Sequence, residues 1–346
     1  MKKWIVIILL LAWMIHPVCA MEFTAPAAPE DVQPLMPEEQ ETFAQGLWYI
    51  IKTAISALRP EFANASKTSL SLIAAVLLLS ILSNFSHQHS NAVRLTGAVA
   101  IGLMLLKPVN TFIQLGADTV VRVSEYGKLL LPVMTAALAA QGGTTTSAAL
   151  YTATVIFDNI LTVVVAKVII PALYIHLCLC VAACAIEEDS LNRVRDFMKS
   201  GMTWCLKTVL YLFTGYISIT GVVSGTVDAS ALKAAKLTIS GVVPVVGGIL
   251  SDASETILVS AGVMKSAAGI YGIFAVLAIC VTPFLQIGMQ YLLLKMTSAV
   301  CGIFGYKTAV SLIDDFTTGM GFVLAMTGTV CILFLISLVC FMKGIG

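Results

Sequence analysis

The sequence predicts an all-α, polytopic integral membrane protein with about six to eight membrane-embedded helices or hairpins, accompanied by interfacial amphipathic helices. Two observations predict it. Of 346 residues, 58% are apolar and 11% charged, with a mean hydropathy of +0.95. Soluble domains run at roughly 45–50% apolar and about 25% charged, so this chain cannot cover itself with a water-facing surface. The few charges are also spaced so as to leave apolar runs of about 20 residues or more, the length an α-helix needs to cross the hydrocarbon layer.

The elements follow in order. Residues 1–20 read as a signal peptide: Lys2 and Lys3 precede the apolar run WIVIILLLAWMI, and Val18-Cys19-Ala20 supplies small residues at a cleavage site. Residues 21–42 hold six acids, four prolines and no Lys or Arg, the composition of a short solvated extracytoplasmic tail. Over 43–60, Leu47, Ile51, Ile55 and Leu58 recur at helical spacing beside Trp48, Tyr49, Lys52 and Arg59, which predicts an amphipathic helix lying in the membrane interface. A polytopic helical domain then occupies 68–346.

Six charge-free runs in that domain are long enough to cross: Thr68 to Ser86, Leu129 to Phe157, Val168 to Ile186, Thr208 to Val227, Ser266 to Leu294 and Phe316 to Met342. A seventh, Leu95 to Ala117, carries Lys107-Pro108 at its centre. Proline removes a backbone donor and an ammonium is costly in hydrocarbon, so this run is expected to be re-entrant, broken or packed inside an assembly. Weighing Lys and Arg between the runs favours six crossings with the mature N-terminus outside. Ser190 to Lys207, with Leu191, Val194, Met198, Met202 and Cys205 on one face, predicts a second interfacial helix. Asp228 to Gly262 predicts helix, break and helix, the break falling at GVVPVVGG and the restart at Asp252 with Glu255 three residues on.

Charge and motifs exclude several functions. A net charge of +1 with no basic block argues against nucleic acid. No G-x-x-x-x-G-K-[ST] follows the glycines around Pro244, and H-E-x-x-H is absent. His176, Cys180 and Cys184 fall on one helical stripe that soft ligands could share with zinc or copper, yet small polarizable residues on an apolar helix are ordinary packing, so no metal and no cofactor are expected. Eight cysteines remain after residue 20, all in or beside apolar runs, and read as free thiols. The sites singled out are places where simple crossing fails: Gly241, Pro244, Gly247, Gly248, Ser251, Asp252 and Glu255 in the break, and Lys107 with Pro108. A Gly/Pro break inside a membrane is tolerated where protein or water satisfies its backbone, as at a pore or a subunit contact. A polar break at Gly142 to Thr146 interrupts the Leu129 to Phe157 run as well.

The stretch AKLTISGVVPVVGGILSDASETILVSAGVMKSAAGIYG, Ala235 to Gly272, resembles the signature of the stage III sporulation protein AE family of endospore-forming Firmicutes, through Pro244, Val245, Val246, Gly247, Ser251, Asp252, Ala253 and Glu255. The resemblance extends over essentially the whole chain. It implies an integral membrane subunit of a sporulation secretion or feeding-channel complex in the mother-cell membrane around the forespore. The family is also weakly similar to export-gate proteins of flagellar and type III secretion. Implied partners are other membrane proteins of the stage III A complex, including a separate ATPase subunit, together with the lipid bilayer and further copies of the chain. The rival reading is a self-contained small-molecule permease with an alternating-access site built on Lys107, Asp158 and Lys265.

Overall fold

The computed structural model describes residues 24–37, 42–85, 90–140, 144–186, 189–219, 267–304 and 306–343. The signal-peptide segment, Lys265 and the whole Gly241 to Glu255 break lie outside them. The described residues form helices without strands: α1 (Phe43–Ala57), α2 (Arg59–Phe85), α3 (Ser90–Ala140), α4 (Thr144–Val164), α5 (Ile170–Ile186), α6 (Asp189–Ile219), α7 (Ala267–Gly302) and α8 (Lys307–Lys343). A single π turn, Val165–Ile169, joins α4 to α5. The all-α, polytopic class is as predicted, and five helical stretches are long and apolar enough to cross a membrane: Arg59–Ser83, Ala92–Ala140, Ser147–Ile186, Gly269–Gly302 and Lys307–Met342.

The partition among crossings differs from the expectation at four places. Lys107-Pro108 breaks nothing: α3 runs through Pro108 and Pro132 for 51 residues, about 76 Å at 1.5 Å per residue. Each proline forfeits one backbone bond, but the helix continues past it, and Ile101, Leu105 and Val109 are fully buried on its inner face around Pro108. The run Leu129 to Phe157 is not one span; its first part ends α3 at Ala140 and the remainder opens α4 at Thr144, with the glycines of QGGTTT falling between. Val168 to Ile186 is the second half of a 40-residue rod. Ser190 to Lys207 likewise continues into the next run as α6, whose inward stripe is Met202, Leu206, Val209, Phe213 and Ile217 while Val194 is exposed.

The core centres on α8. Phe316, Met320, Val323, Met326, Val330, Phe334, Leu338 and Phe341 recur every three or four residues and are all buried, so α8 is enclosed by its neighbours. In its apolar window 72% of residues are buried, against 22% in that of α2. Antiparallel α7 packs along α8 through glycine: a Cβ on Gly328 would meet Phe284 at 3.3 Å, one on Gly321 would meet Tyr291 at 3.6 Å. Small residues that let backbones approach are the usual means of joining helices where lipid removes the hydrophobic drive. On the outside of the bundle, α1 starts with Thr42 N–H donating to Gln45 Oε1 at 3.0 Å, half of a capping box, and stacks Phe43 on Phe274 of α7 at 5.1 Å.

The acidic segment before α1 is more ordered than a solvated tail. Ala28 and Val32 are buried, the Ala28 N–H donates to Tyr271 Oη at 3.1 Å, Tyr126 Oη donates to the Pro26 carbonyl at 3.1 Å, and Arg122 pairs with Asp31. Its composition suits water, but its few apolar residues and bare carbonyls find partners on α3 and α7.

Candidate functional site

Of the residues singled out in the sequence, Gly241, Pro244, Gly247, Gly248, Ser251, Asp252 and Glu255 lie outside the described residues; Lys107 and Pro108 lie on α3. Lys107 is exposed, and it is the first member of a stripe. Lys107, Thr111, Gln114, Asp118, Glu125 and Lys128 follow one another at steps of three, four or seven and all point out of the bundle, with the exposed Val121 as an apolar member between Asp118 and Glu125. Such spacing places side chains on one helix face. The apolar Leu95, Val99 and Leu103 precede the stripe on the outer surface, and Leu129 follows it.

The opposite face of α3 fixes the level of this stripe. A Cβ on Gly116 would meet Val323 at 2.6 Å and one on Gly127 would overlap the Phe334 ring. The step from Gly116 to Gly127 equals that from Val323 to Phe334, so α3 and α8 run parallel and in step. The charge-free run of α8, Phe316 to Met342, has its middle near Thr329. The part of the stripe from Asp118 to Lys128 therefore stands beside the middle of the most apolar helix of the molecule, whereas Lys107 is level with Asp314 at its charged start. An ammonium or carboxylate facing lipid at that depth costs several kcal/mol. The irregular backbone of residues 24–32 reaches the same level through Pro26 and Asp31, and unpaired backbone is tolerated at membrane depth only against protein or water.

Inside the bundle, polar contacts cross between the described helices. Ser124 Oγ on α3 donates to Asp158 Oδ2 on α4 at 2.6 Å, and Asp158 is 2% exposed with Oδ1 lacking a hydrogen-bond partner. Thr154, one turn before Asp158, donates to Ser337 Oγ of α8 at 3.0 Å. Tyr174 of α5 donates to Asn110 Oδ1 of α3. Ser124 lies seventeen positions beyond Lys107 on α3, about 25 Å of helix rise, so Lys107 and Asp158 sit at different levels and share no cavity wall. That separates two of the three residues on which an alternating-access permease would rest.

At the end where α8 begins, Asp314 and Asp315 take separate partners. Arg195 Nη1 donates to Asp315 Oδ2 at 2.9 Å and Lys295 Nζ to Asp314 Oδ1 at 3.1 Å, tying α6 and α7 to α8. Burial works against the charge of Arg195, yet the Asp315 and Asp196 carboxylates hold its pKa above the usual guanidinium value. Near this end His176 Nε2 lies 3.6 Å from Cys180 Sγ, and its ring stands edge-on to Phe322. No group of three or more His, Cys, Asp or Glu residues placed to hold a metal occurs among the described residues.

The stage III sporulation protein AE family model matches residues 32–344. The chain belongs to the stage III sporulation protein AE family. A relative bearing that description, from Bacillus subtilis (strain 168), is 20% identical over 265 residues, which are 76% of this chain and 66% of the relative. The match thus spans a little under two thirds of that protein's length. No solved structure matches the chain. Membership in the stage III family supports a role in sporulation, and the apolar helices support a multi-pass membrane protein. The stripe beyond Lys107 was missed in the sequence because attention to charge-free runs hides it; a helical wheel of 107–128 would have found it.

Proposed function

We propose that the protein is an integral membrane subunit of a sporulation-specific secretion or feeding-channel complex between mother cell and forespore, needed for late forespore development. It acts as a gate or scaffold and is not an enzyme. It resides in the mother-cell membrane around the forespore with the mature N-terminus extracytoplasmic, beside other stage III A membrane proteins and a separate ATPase subunit. The observation that carries this reading is the polar stretch Asp118–Lys128 on the outer face of α3, level with the middle of α8. A self-sufficient bundle in lipid would turn apolar side chains outward there. A polar face at that depth fits a water-filled passage or a neighbouring subunit. The Gly241 to Glu255 break is assigned to the same pore or subunit contact.

The test is a cysteine scan in sporulating cells. Lys107, Thr111, Gln114, Asp118 and Glu125 are replaced singly by cysteine, with Leu70 and Leu78 of α2 as lipid-facing references. The expected result is reaction of the stripe positions with a membrane-impermeant maleimide, or cross-linking to another protein, while the α2 positions do neither. Stripe positions as inert as Leu70 and Leu78 would overturn the reading.

A further inference from the structure

Asp158 has no part in the reading above. It sits on the inner side of the α3–α4 seam, away from the stripe, at the level where Ser124 meets it and Thr154 meets Ser337. Phe213 and Tyr216 of α6 enclose the neighbouring Phe157, at 5.5 and 6.1 Å between ring centroids. An ionised carboxylate in such surroundings is costly unless a positive charge or several donors compensate it. Among the described residues one donor, Ser124, reaches it, and Oδ1 has none.

The charged and titratable groups around it are few. On α3 they are Glu125 and Lys128, both exposed, with Lys128 one turn beyond Ser124. The facing part of α6, from Thr208 to Ile219, holds no charged residue and brings Tyr216 against Phe157; α8 has no charge between Asp315 and Lys343, and its Cys331 faces Cys280 of α7 instead. A hard divalent cation would want six or more oxygens, and the pocket offers one free carboxylate oxygen and a few hydroxyls. A proton needs no such set. In the neutral acid, Oδ2–H donates to Ser124 Oγ across the same 2.6 Å, and Oδ1 becomes a carbonyl oxygen that tolerates having no partner.

We propose that Asp158 is a proton-exchange site in the membrane interior, neutral while α3, α4 and α8 are packed and ionised when the α3–α4 seam admits water beside Lys128. The step makes and breaks one O–H bond. The proton comes from water reaching Ser124 past Lys128 and returns the same way. Burial makes the ionised form costly, and water entering the seam would relieve that cost. The inference rests on the burial of Asp158 and, for its water route past Lys128, on the reading that this side of α3 is not lipid; labelling of Asp158 and the cysteine scan of the stripe can fail separately.

The full-length protein in lipid nanodiscs is treated with dicyclohexylcarbodiimide, which adds to protonated carboxyl groups in apolar sites, and Asp158 is followed by peptide mass spectrometry. The expected result is labelling at neutral pH that falls as pH rises, is lost in Asp158→Asn, and is not suppressed by sodium chloride. No labelling, or labelling that is independent of pH, would overturn the proposal; protection by sodium would assign the site to a metal cation instead and overturn it equally. In sporulating cells Asp158→Asn, locked neutral, is expected to accumulate normally and fail to support spore formation, while Asp158→Glu retains part of it. Full sporulation with Asp158→Asn would reduce the residue to a packing role. If that variant does not accumulate, the labelling of the native chain decides.

Discussion

Helices α2 and α3 both lie on the outside of the bundle, yet they turn opposite chemistry outward. From Leu70 on, the free face of α2 is mostly apolar, with Leu70, Leu78, Ile81, Leu82 and Phe85 beside Ser71 and after Asn64 and Lys67; that of the middle of α3 is mostly polar, with Lys107, Thr111, Gln114, Asp118, Glu125 and Lys128 beside Val121. On their inner faces the two are alike, with Leu72 and Val76 of α2 and Val109, Ile113, Val120 and Val123 of α3 all buried. Inner faces must exclude water and fill space, so they converge. Outer faces answer to what lies beyond the chain. Apolar surface costs nothing in lipid, whereas charge at that depth needs water or protein. The contrast says that the bundle has a lipid side and a side that is not lipid.

The comparison breaks most severely where the orientation of α3 is set. Gly127 lies against Phe334, and any side chain there collides with the ring. Gly127→Leu should cost about 3 kcal/mol or more, the upper end for overpacking, because two long helices cannot separate locally. The expected outcome is loss of protein from membranes or aberrant protease fragments. Gly201→Leu on α6, where no atom lies within 4 Å, should leave the level unchanged. Next in size is a direct exchange of the two outer faces. Leu78→Lys should cost about 2.5–3.5 kcal/mol if the ammonium stays at the bilayer centre, less if it snorkels. Gln114→Lys on the stripe should change thermal stability by no more than about 0.5 kcal/mol. Equal penalties in nanodisc melting would mean that α2 and α3 face the same medium.

Much of this architecture was legible in the sequence. The apolar runs, α1 and the α7–α8 hairpin follow from hydropathy and helical spacing. What was not legible is how runs combine into rods. Lys107-Pro108 looks like a break because proline and charge are penalised one at a time; the packed row Ile101, Leu105 and Val109 outweighs both. The division of Leu129 to Phe157 could be read only in part, because QGGTTT marks a polar interruption while the run around it is uninterrupted by charge. The docking of residues 24–37 left almost no trace, since it depends on two tyrosines, Tyr126 and Tyr271, far apart in sequence and on different helices. Asp158 stood out as an ionisable group at a run's end, but its depth needed the pairing of α3 with α4.

A smaller effect on stability separates fold from function on the stripe itself. Replacing Asp118 and Glu125 together by leucine should leave the protein folded and abundant, within about 0.5 kcal/mol, because both side chains are already outside the packed core. Sporulation and recovery of the complex from detergent extracts should nevertheless fall. Normal sporulation in that double variant would make the acids incidental to the outer face and leave Lys107 and Lys128 as its only charged contacts.

The smallest expected change is at the edge of the stripe, where Arg122 meets Asp31. Their side chains are 37% and 58% exposed, so the pair is worth about 0–1 kcal/mol in aqueous surroundings and should weaken with salt. The segment 24–37 is held mainly by buried Ala28 and Val32 and by the bonds to Tyr126 and Tyr271. Arg122→Ala should therefore raise protease cleavage within 24–37 only slightly, and raised salt should do the same to the native protein. If Arg122→Ala instead frees the segment outright, the pair is stronger than an exposed one can be, and the medium around it is of low dielectric. That result would identify the non-lipid side of α3 as a dry contact with another subunit, since the strength of one ion pair reports on the water that the stripe does or does not see.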